Sequence, residues 1–293
     1  MPPVGSDFYW YAGEVSLDSQ GKVQGKPIEF GATNLTPADP LLQAQFGMVG
    51  ALIIEPEGAT WGDLSPMEQL SIASFLAQGH EYHLYSYQEV GNLPAGAVLK
   101  DAAEILPKTD IFQYEKNRSY AGFSNFFRYR LLLRKGGWWA DTDVVCLKQF
   151  TFETPYVFAT ERVEGIAVAA TAVIKAPAGS EIMAYAWHGC KACQNPAAAF
   201  WGQLGPKLMA RAIKQFELGS YLQPAEVFCP LGYDEWEMQL APDSPSFGEQ
   251  THAVHLWNEM WRRGGRDKRI VHGPGCLYER LKQAYGFASV IAS

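Results

Sequence analysis

The chain has 293 residues, of which 47% are apolar, 13% aromatic and only 19% charged. That is enough for one large core or two smaller ones, and it excludes disorder and collagen-like structure. The formal charge of −7, from 24 basic and 31 acidic residues, supplies no overall field to draw the chain to nucleic acid or to an anionic membrane surface.

The charge is unevenly placed. Residues 1–60 hold 2 lysines against 7 acids, no His and no Cys, and 14 of these 60 positions are Gly or Pro. The first fifth of the chain therefore reads as different material from the rest. In it, short apolar runs alternate with turn residues: 8–12, the Gly21 to Gly25 turn, 27–30, the Pro37 to Pro40 turn, then 48–54. This is the punctuation of strands, and Gly47-Met48-Val49-Gly50-Ala51-Leu52-Ile53-Ile54 is the clearest of them. After a break at Glu57-Gly58, Ser65-Pro66-Met67-Glu68 is a capping box with proline at the first helical position. Leu70, Ala73, Leu76 and Ala77 continue at helical spacing, and Gly79 stops the run.

The aromatic run 80–87 follows as a strand, so helix and strand are joined by a short link, as in an α/β sheet. Further helices are expected over 99–106 and 121–135, the second closed by Gly136-Gly137. Residues 138–147 read as a buried strand interrupted by Asp141 and Asp143. Beyond it the pattern gives strands near 156–160 and 166–174, helices near 181–193 and 206–216, a strand at 254–257 and a last helix near 277–285. The start of the chain lacks the basic region and apolar run of a signal peptide, and no run of about 18 apolar residues occurs. Five cysteines, an odd number over a long chain, fit reduced thiols. A soluble, cytoplasmic protein is expected, without transmembrane segment but with room for peripheral membrane association.

Asp141-Thr142-Asp143 is the most informative feature. A carboxylate in an apolar strand is costly unless paired or metal-bound, and two neighbours repel each other. A Mg or Mn ion resolves both problems and leaves coordination positions open to phosphate oxygens. The competing reading is an Asp turn at a strand end with both acids solvated. Upstream, Asn125 and Arg128 share one face of a helix at i and i+3, while Phe123, Phe126, Phe127, Leu131 and Leu132 supply its apolar side. This is either an ordinary amphipathic helix or a hydrogen-bonding amide and a fixed cation set beside the acidic strand. The run Arg262, Arg263, Arg266, Lys268 and Arg269 is either a solvated loop or a clamp for an anion. Cys190 and Cys193 read as packed helix cysteines.

The order Ser124-Asn125-x-x-Arg128, Gly136-Gly137-Trp138-Trp139 and Asp141-Thr142-Asp143 resembles the signature of the glycosyltransferases with a DXD sugar-binding region. That family includes bacterial capsular polysaccharide transferases and has a core similar to that of the glucosylating clostridial toxins. The resemblance covers roughly residues 61–287 and is strongest over 119–150. It implies a GT-A fold, a Rossmann-like nucleotide-sugar-binding α/β sheet with flanking helices. It also implies a hexosyltransferase that uses Mn or Mg, takes a UDP- or GDP-sugar as donor, retains the anomeric configuration and acts on a saccharide acceptor in bacterial surface polysaccharide synthesis.

By position, Asp141, Asp143 and Arg128 would be catalytic, with Asp143 a direct metal ligand. Asp141 would contact ribose and sugar and reach the metal directly or through water, and Arg128 would hold the donor sugar or its phosphate. Asn125 stands where many relatives have Asp to bind sugar hydroxyls. In the second matching stretch, Ala253 to Arg262, His255 would be a metal or phosphate ligand, and Trp257, Asn258 and Trp261 would close over the donor. Gly205-Pro206 resembles the turn that opens a helix beside the acceptor pocket, and 228–231 resembles a structural strand.

Residues 1–60 resemble, weakly, the closing strands of a cupredoxin domain. Type-1 copper needs two histidines and a thiolate; here only Met48 is at hand, so no copper is expected. This gives a β-rich, cupredoxin-like fragment over 1–60 and a GT-A domain over 61–293. Relatives open with a core strand before the first helix; here either Trp61 fills that role in a shifted register or residues 51–56 supply the strand. Failing both, the alternative is a non-catalytic fusion product with a transferase-like fold.

Overall fold

The computed structural model describes residues 11–17, 23–27, 48–54, 63–273 and 275–287. Its contacts divide the chain into two units, Met1–Pro37 and Ala38–Ser293. In the first unit β1 (Tyr11–Leu17) and β2 (Val23–Pro27) pair antiparallel, with Tyr11 opposite Pro27 and Leu17 opposite Val23. β3 (Met48–Leu52) pairs in parallel on both sides within the sheet of the second unit. Charge and Gly/Pro content report surface and turn chemistry, whereas an apolar run such as Val49-Gly50-Ala51-Leu52 reports a strand covered on both faces. The first core strand is therefore supplied by residues ahead of Pro56. The expected turn at 37–40, the break at Glu57-Gly58 and Trp61 lie outside the described residues.

In the second unit, α1 (Pro66–Ala77) begins at the capping box: Met67 N donates to Ser65 Oγ at 3.2 Å and Ser65 N donates to Glu68 Oε2 at 2.9 Å. Gly79, at φ +80°, ends it and turns the chain into β4 (Glu81–Ser86). β5 (Val98–Asp101) follows, then α2 (Ala121–Lys135), β6 (Gly137–Ala140) and β7 (Val144–Cys146). β8 (Val157–Val163), β9 (Ile166–Ala176), α3 (Glu181–Lys191) and α4 (Pro206–Gln215) come next. The chain closes with α5 (Ala225–Phe228), β10 (Ala253–His255), α6 (Asn258–Arg263) and α7 (Leu277–Ala284).

Among the described residues these strands form a six-stranded sheet in the order β5-β4-β3-β6-β9-β8 and a separate β10-β7 pair. β5, β4, β3 and β6 run parallel, while β9 is antiparallel to both its neighbours. This is the α/β sheet with flanking helices that the sequence implies. Successive strand residues face opposite sides, so Trp139 joins Phe123, Phe127, Leu131 and Ile174 on one side. Trp138 joins Val49, Phe75, Tyr82 and Phe228 on the other. Two positions require glycine. A Cβ on Gly50 would stand 2.7 Å from Leu131 Cδ2, because β3 lies close against α2. Gly136, at φ +65° after α2, would bring a Cβ to 2.4 Å from Ala178 N.

Four expected elements differ. The helix over 99–106 is replaced by β5 and a short 3-10 turn, Ala102–Glu104; pairing with β4 wins over helix propensity, and the Asp101 carboxylate accepts from Ala103 N at 2.8 Å to start the turn. The single strand over 138–147 breaks at Asp141, whose carbonyl accepts from Val144 N at 3.0 Å. β7 then leaves the main sheet for β10. Residues 228–231 are no strand: Phe228 ends α5, and Cys229 N donates to the Ala225 carbonyl. The strand expected over 254–257 stops at His255, because Trp257 turns into the left-handed region at φ 58°, ψ 48° and caps α6.

Candidate active site

The site forms where β6 gives way to the turn before β7. Asp141 N donates to the Ala172 carbonyl at 2.9 Å, which fixes the end of β6 against β9. Its Oδ1 accepts from Trp139 Nε1 at 2.8 Å and lies 2.9 Å from Arg128 Nη2. Arg128 reaches it from the buried face of α2, with its guanidinium carbon 5.0 Å from the Trp139 ring centroid. The same guanidinium donates to Ser124 Oγ at 3.0 Å and to the Thr171 carbonyl. Thr171 lies in a stretch of β9 left out of the β8 ladder, because the register jumps between the Phe158–Ile174 and Thr160–Ala169 pairs.

Asp143 is held from the other side. The antiparallel β7–β10 register sets His255 opposite Val144, and Leu256 N donates to the Asp143 carbonyl at 2.8 Å. His255 Nε2 consequently stands 3.2 Å from Asp143 Oδ2. That oxygen also accepts from the backbone N of Asn258 at 2.7 Å, at the first residue of α6. Asn258 thus reaches the site through its main chain.

The two acids lie in contrasting fields. Burial holds the Asp141 carboxyl above the usual carboxylate range; Arg128 opposes this and Asp143 adds to it. Asp143 also suffers burial, but His255 and the Asn258 amide outweigh it and hold its pKa low. For His255, burial would favour the neutral ring, yet the Asp143 charge raises its pKa well above the ordinary value.

One ligand atom from each of Asp141, Asp143 and His255 lies within 4.8 Å of the others. Two carboxylate oxygens and an imidazole nitrogen are a fitting donor set for a divalent cation. Asn125 is buried on α2, and its Oδ1 has no hydrogen-bond partner among the described residues. It faces Gly205 at the start of α4, where a Cβ would meet its Nδ2 at 2.8 Å. Trp257 lies tilted against His255, with centroids 3.9 Å apart, and donates from Nε1 to the Leu231 carbonyl at 3.0 Å.

Trp261, in contrast, lies in the core: it is 1% exposed, donates from Nε1 to the Leu256 carbonyl at 2.8 Å and packs with Tyr278 and Leu277, so it supports α6 from within. The basic run is largely taken up by acids: Arg262 and Arg263 pair with Glu259, Arg266 with Glu237, and Lys268 with Glu68. Cys190 is buried and Cys193 half-buried, and burial pushes both thiols up, away from redox chemistry.

One acid near the site escaped the sequence reading. Glu161 on β8 is half-buried; burial raises its pKa, His255 lowers it and Asp141 raises it further. An acid closing the run Val157-Phe158-Ala159-Thr160 was the available signal.

Residues 65–163 match the family described as glycosyltransferase sugar-binding region containing DXD motif. No curated protein sequence matches the chain. Among solved structures the chain is similar to PaToxG glycosyltransferase, with 13% identity, 83% of this chain and 86% of that chain covered, and a TM-score of 0.42. It is also similar to a transferase mutant with two Cys-to-Ser changes, at 11% identity, 72% and 94% coverage and a TM-score of 0.40. The matched region, about a third of the chain, holds Asn125, Arg128, Asp141, Asp143 and Glu161, and it spans α1 to β8 of the α/β sheet described above, so it is as a DXD-containing glycosyltransferase sugar-binding region that this part of the chain is similar to known enzymes.

Proposed function

We propose that the protein is a metal-dependent, retaining glycosyltransferase that moves a hexose from a UDP- or GDP-sugar to a saccharide acceptor. The observation that carries this reading is the convergence of Asp141, Asp143 and His255 within 4.8 Å. Mn or Mg held there would offset the charge that develops on the departing nucleoside diphosphate. The chain's own residues supply position: Asn258 N and His255 orient Asp143, and Trp139 Nε1 and Arg128 orient Asp141. Such a fixed polar frame needs no reorganisation as charge develops. The unpartnered, buried Oδ1 of Asn125 suits a donor-sugar hydroxyl, since an orphaned acceptor gains most from a bond.

With β3 in the sheet, the missing first strand that motivated an inactive fusion is no longer missing. Among the described residues no helix is long and apolar enough to cross a membrane. A cytoplasmic place of action is part of the reading, and five free cysteines suit its reducing conditions. The likeness of residues 119–150 to bacterial polysaccharide enzymes directs it toward surface polysaccharide synthesis.

The test is calorimetry of UDP and GDP with and without Mn, on wild type and Asp143→Ala, together with hydrolysis of a panel of UDP- and GDP-sugars. Mn-dependent tightening of one nucleotide, lost in the variant, is the expected outcome. Absence of such tightening in the wild type sinks the proposal.

A further inference from the structure

One nitrogen of His255 faces Asp143; the other needs a partner of its own. His255 is 8% exposed, and its Nδ1 is buried without a nitrogen or oxygen partner among the described residues. A bare ring nitrogen in a core is costly, so the polar group nearest to it decides how the imidazole is held.

That group is the Cys229 thiol. Two stretches of chain run side by side here, residues 227–231 from the end of α5 and residues 252–257 through β10, and they are tied at both ends. His252 N donates to the Val227 carbonyl at 2.8 Å, and Trp257 Nε1 donates to the Leu231 carbonyl at 3.0 Å. Cys229 and His255 lie between these ties. Cys229 is 0% exposed and shares a packed cluster with Phe228 and Ala253, and its thiol is a side-chain hydrogen-bond partner of the imidazole. The buried thiols of Cys146 and Cys190 meet backbone carbonyls instead, those of Lys148 at 3.1 Å and Leu204 at 3.8 Å.

We infer that Cys229 is a positioning residue for the metal site: its sulfur accepts the Nδ1–H of His255, which fixes the orientation of the ring and leaves Nε2 as the nitrogen offered to a cation beside Asp143. The inference rests on the metal-dependent reading above. Trp257 lies against the ring, but a half-turn about Cβ–Cγ would keep that contact while exchanging the ring edges, so the edge partners set the direction. An imidazole that binds a metal through one nitrogen carries its proton on the other, and the partner of that proton holds the tautomer. A thiol is a weak acceptor. It can orient the ring where a carboxylate would add one more negative charge to a site already built from Asp141 and Asp143.

The test compares Cys229→Ser, which keeps a weak acceptor, with Cys229→Ala and Cys229→Val, one smaller and one larger than the thiol and neither able to accept. Urea denaturation should find Cys229→Ser no more stable than the better of the two apolar variants, because a hydroxyl is poorly placed in this cluster. Mn affinity of the full chain, read from the EPR signal of free Mn, should run the other way: within about threefold of wild type in Cys229→Ser, and about tenfold weaker in both apolar variants. An affinity that follows stability, with Cys229→Ser the weakest binder, makes Cys229 a packing residue and overturns the inference. NMR of the metal-free chain with isotope-labelled histidine supplies a readout independent of metal. His255 Nδ1 should carry a proton in wild type and Cys229→Ser, and its resonance should move in the apolar variants; a bare Nδ1 in the wild type, or a resonance indifferent to every substitution, also overturns the inference. If Nδ1 responds in this way while the wild type binds no Mn, the placement of the ring by Cys229 stands and the metal-dependent reading fails.

Discussion

The His255 imidazole and the Trp257 indole lie with centroids 3.9 Å apart and planes tilted by 40°, with only Leu256 between them in sequence and Trp257 in the left-handed region. A bulky residue there is a strained exception, costing on the order of 1–3 kcal/mol. What the strain accomplishes is visible in its neighbours: the turn starts α6, aims Asn258 N at Asp143 and lays the indole on the imidazole that faces the same carboxylate.

Trp257→Gly and Trp257→Ala separate backbone from ring. Glycine adopts the left-handed turn freely, so Trp257→Gly should be more stable than Trp257→Ala by about 1 kcal/mol in urea denaturation. Both lose the indole against His255 and its bond to Leu231, and both should bind Mn–nucleotide about tenfold more weakly. An alanine variant as stable as the glycine one would refute the strain argument.

Arg128 is expected to be irreplaceable by lysine. Its guanidinium meets Asp141, Ser124 and the Thr171 carbonyl at once while lying over Trp139, and an ammonium cannot reproduce that planar fork. Arg128→Ala leaves Asp141 half-buried without its cation and should cost about 3–5 kcal/mol in unfolding free energy. Arg128→Lys should recover less than half of that and little donor hydrolysis. Full activity in Arg128→Lys would show that the charge alone matters.

Much of this was readable from local chemistry. Ser65-Pro66-Met67-Glu68 fixed the start of α1, and Gly136-Gly137 the end of α2, because caps and left-handed turns are decided by adjacent residues. The pairing of Trp138 and Trp139 with opposite faces follows from strand alternation. What was not readable depended on distant partners. Glu68 and Glu237 absorb Lys268 and Arg266 across separations that no periodicity links. Trp261 lies on a short helix whose buried side is set by Tyr278 and Leu277, so sequence spacing could not distinguish a lid from a core residue. β3 is a related case: it belongs to its sheet through pairing, while its surroundings carry the acidic, turn-rich composition of the preceding segment.

Gly136→Ala tests the close approach after α2. The φ of +65° with ψ −163° is open essentially to glycine alone, and the added methyl would meet Ala178 N and the Pro177 carbonyl carbon. A loss of more than about 2 kcal/mol is expected by chemical denaturation, with β6 and therefore Asp141 displaced. Gly165→Ala is the control: it has positive φ but nothing within 4 Å, so it should cost only about 1 kcal/mol. Equal losses in the two would mean that dihedral strain, and not the contact with Ala178, governs Gly136.

Lys175 offers a pH test away from the site. It is 2% exposed on β9, donates from Nζ to the Phe152 carbonyl at 2.6 Å and lies 5.5 Å from the Trp138 ring centroid. Burial holds its pKa below the ordinary lysine value. Between that depressed value and the unfolded value of about 10.4, the unfolded chain binds more protons, so this residue's contribution to stability rises with pH. Below the depressed value both states are protonated and the contribution is constant. Buried tyrosines and cysteines, whose pKa values burial raises, act in the opposite sense over the same range, which is why the comparison must be with Lys175→Met. Urea denaturation of both proteins from about pH 7.5 to about pH 10 should show wild type gaining on the methionine variant as pH rises. A pH-independent difference would mean that Lys175 titrates alike in the folded and unfolded chain and that its ammonium is well solvated or fully compensated in the core.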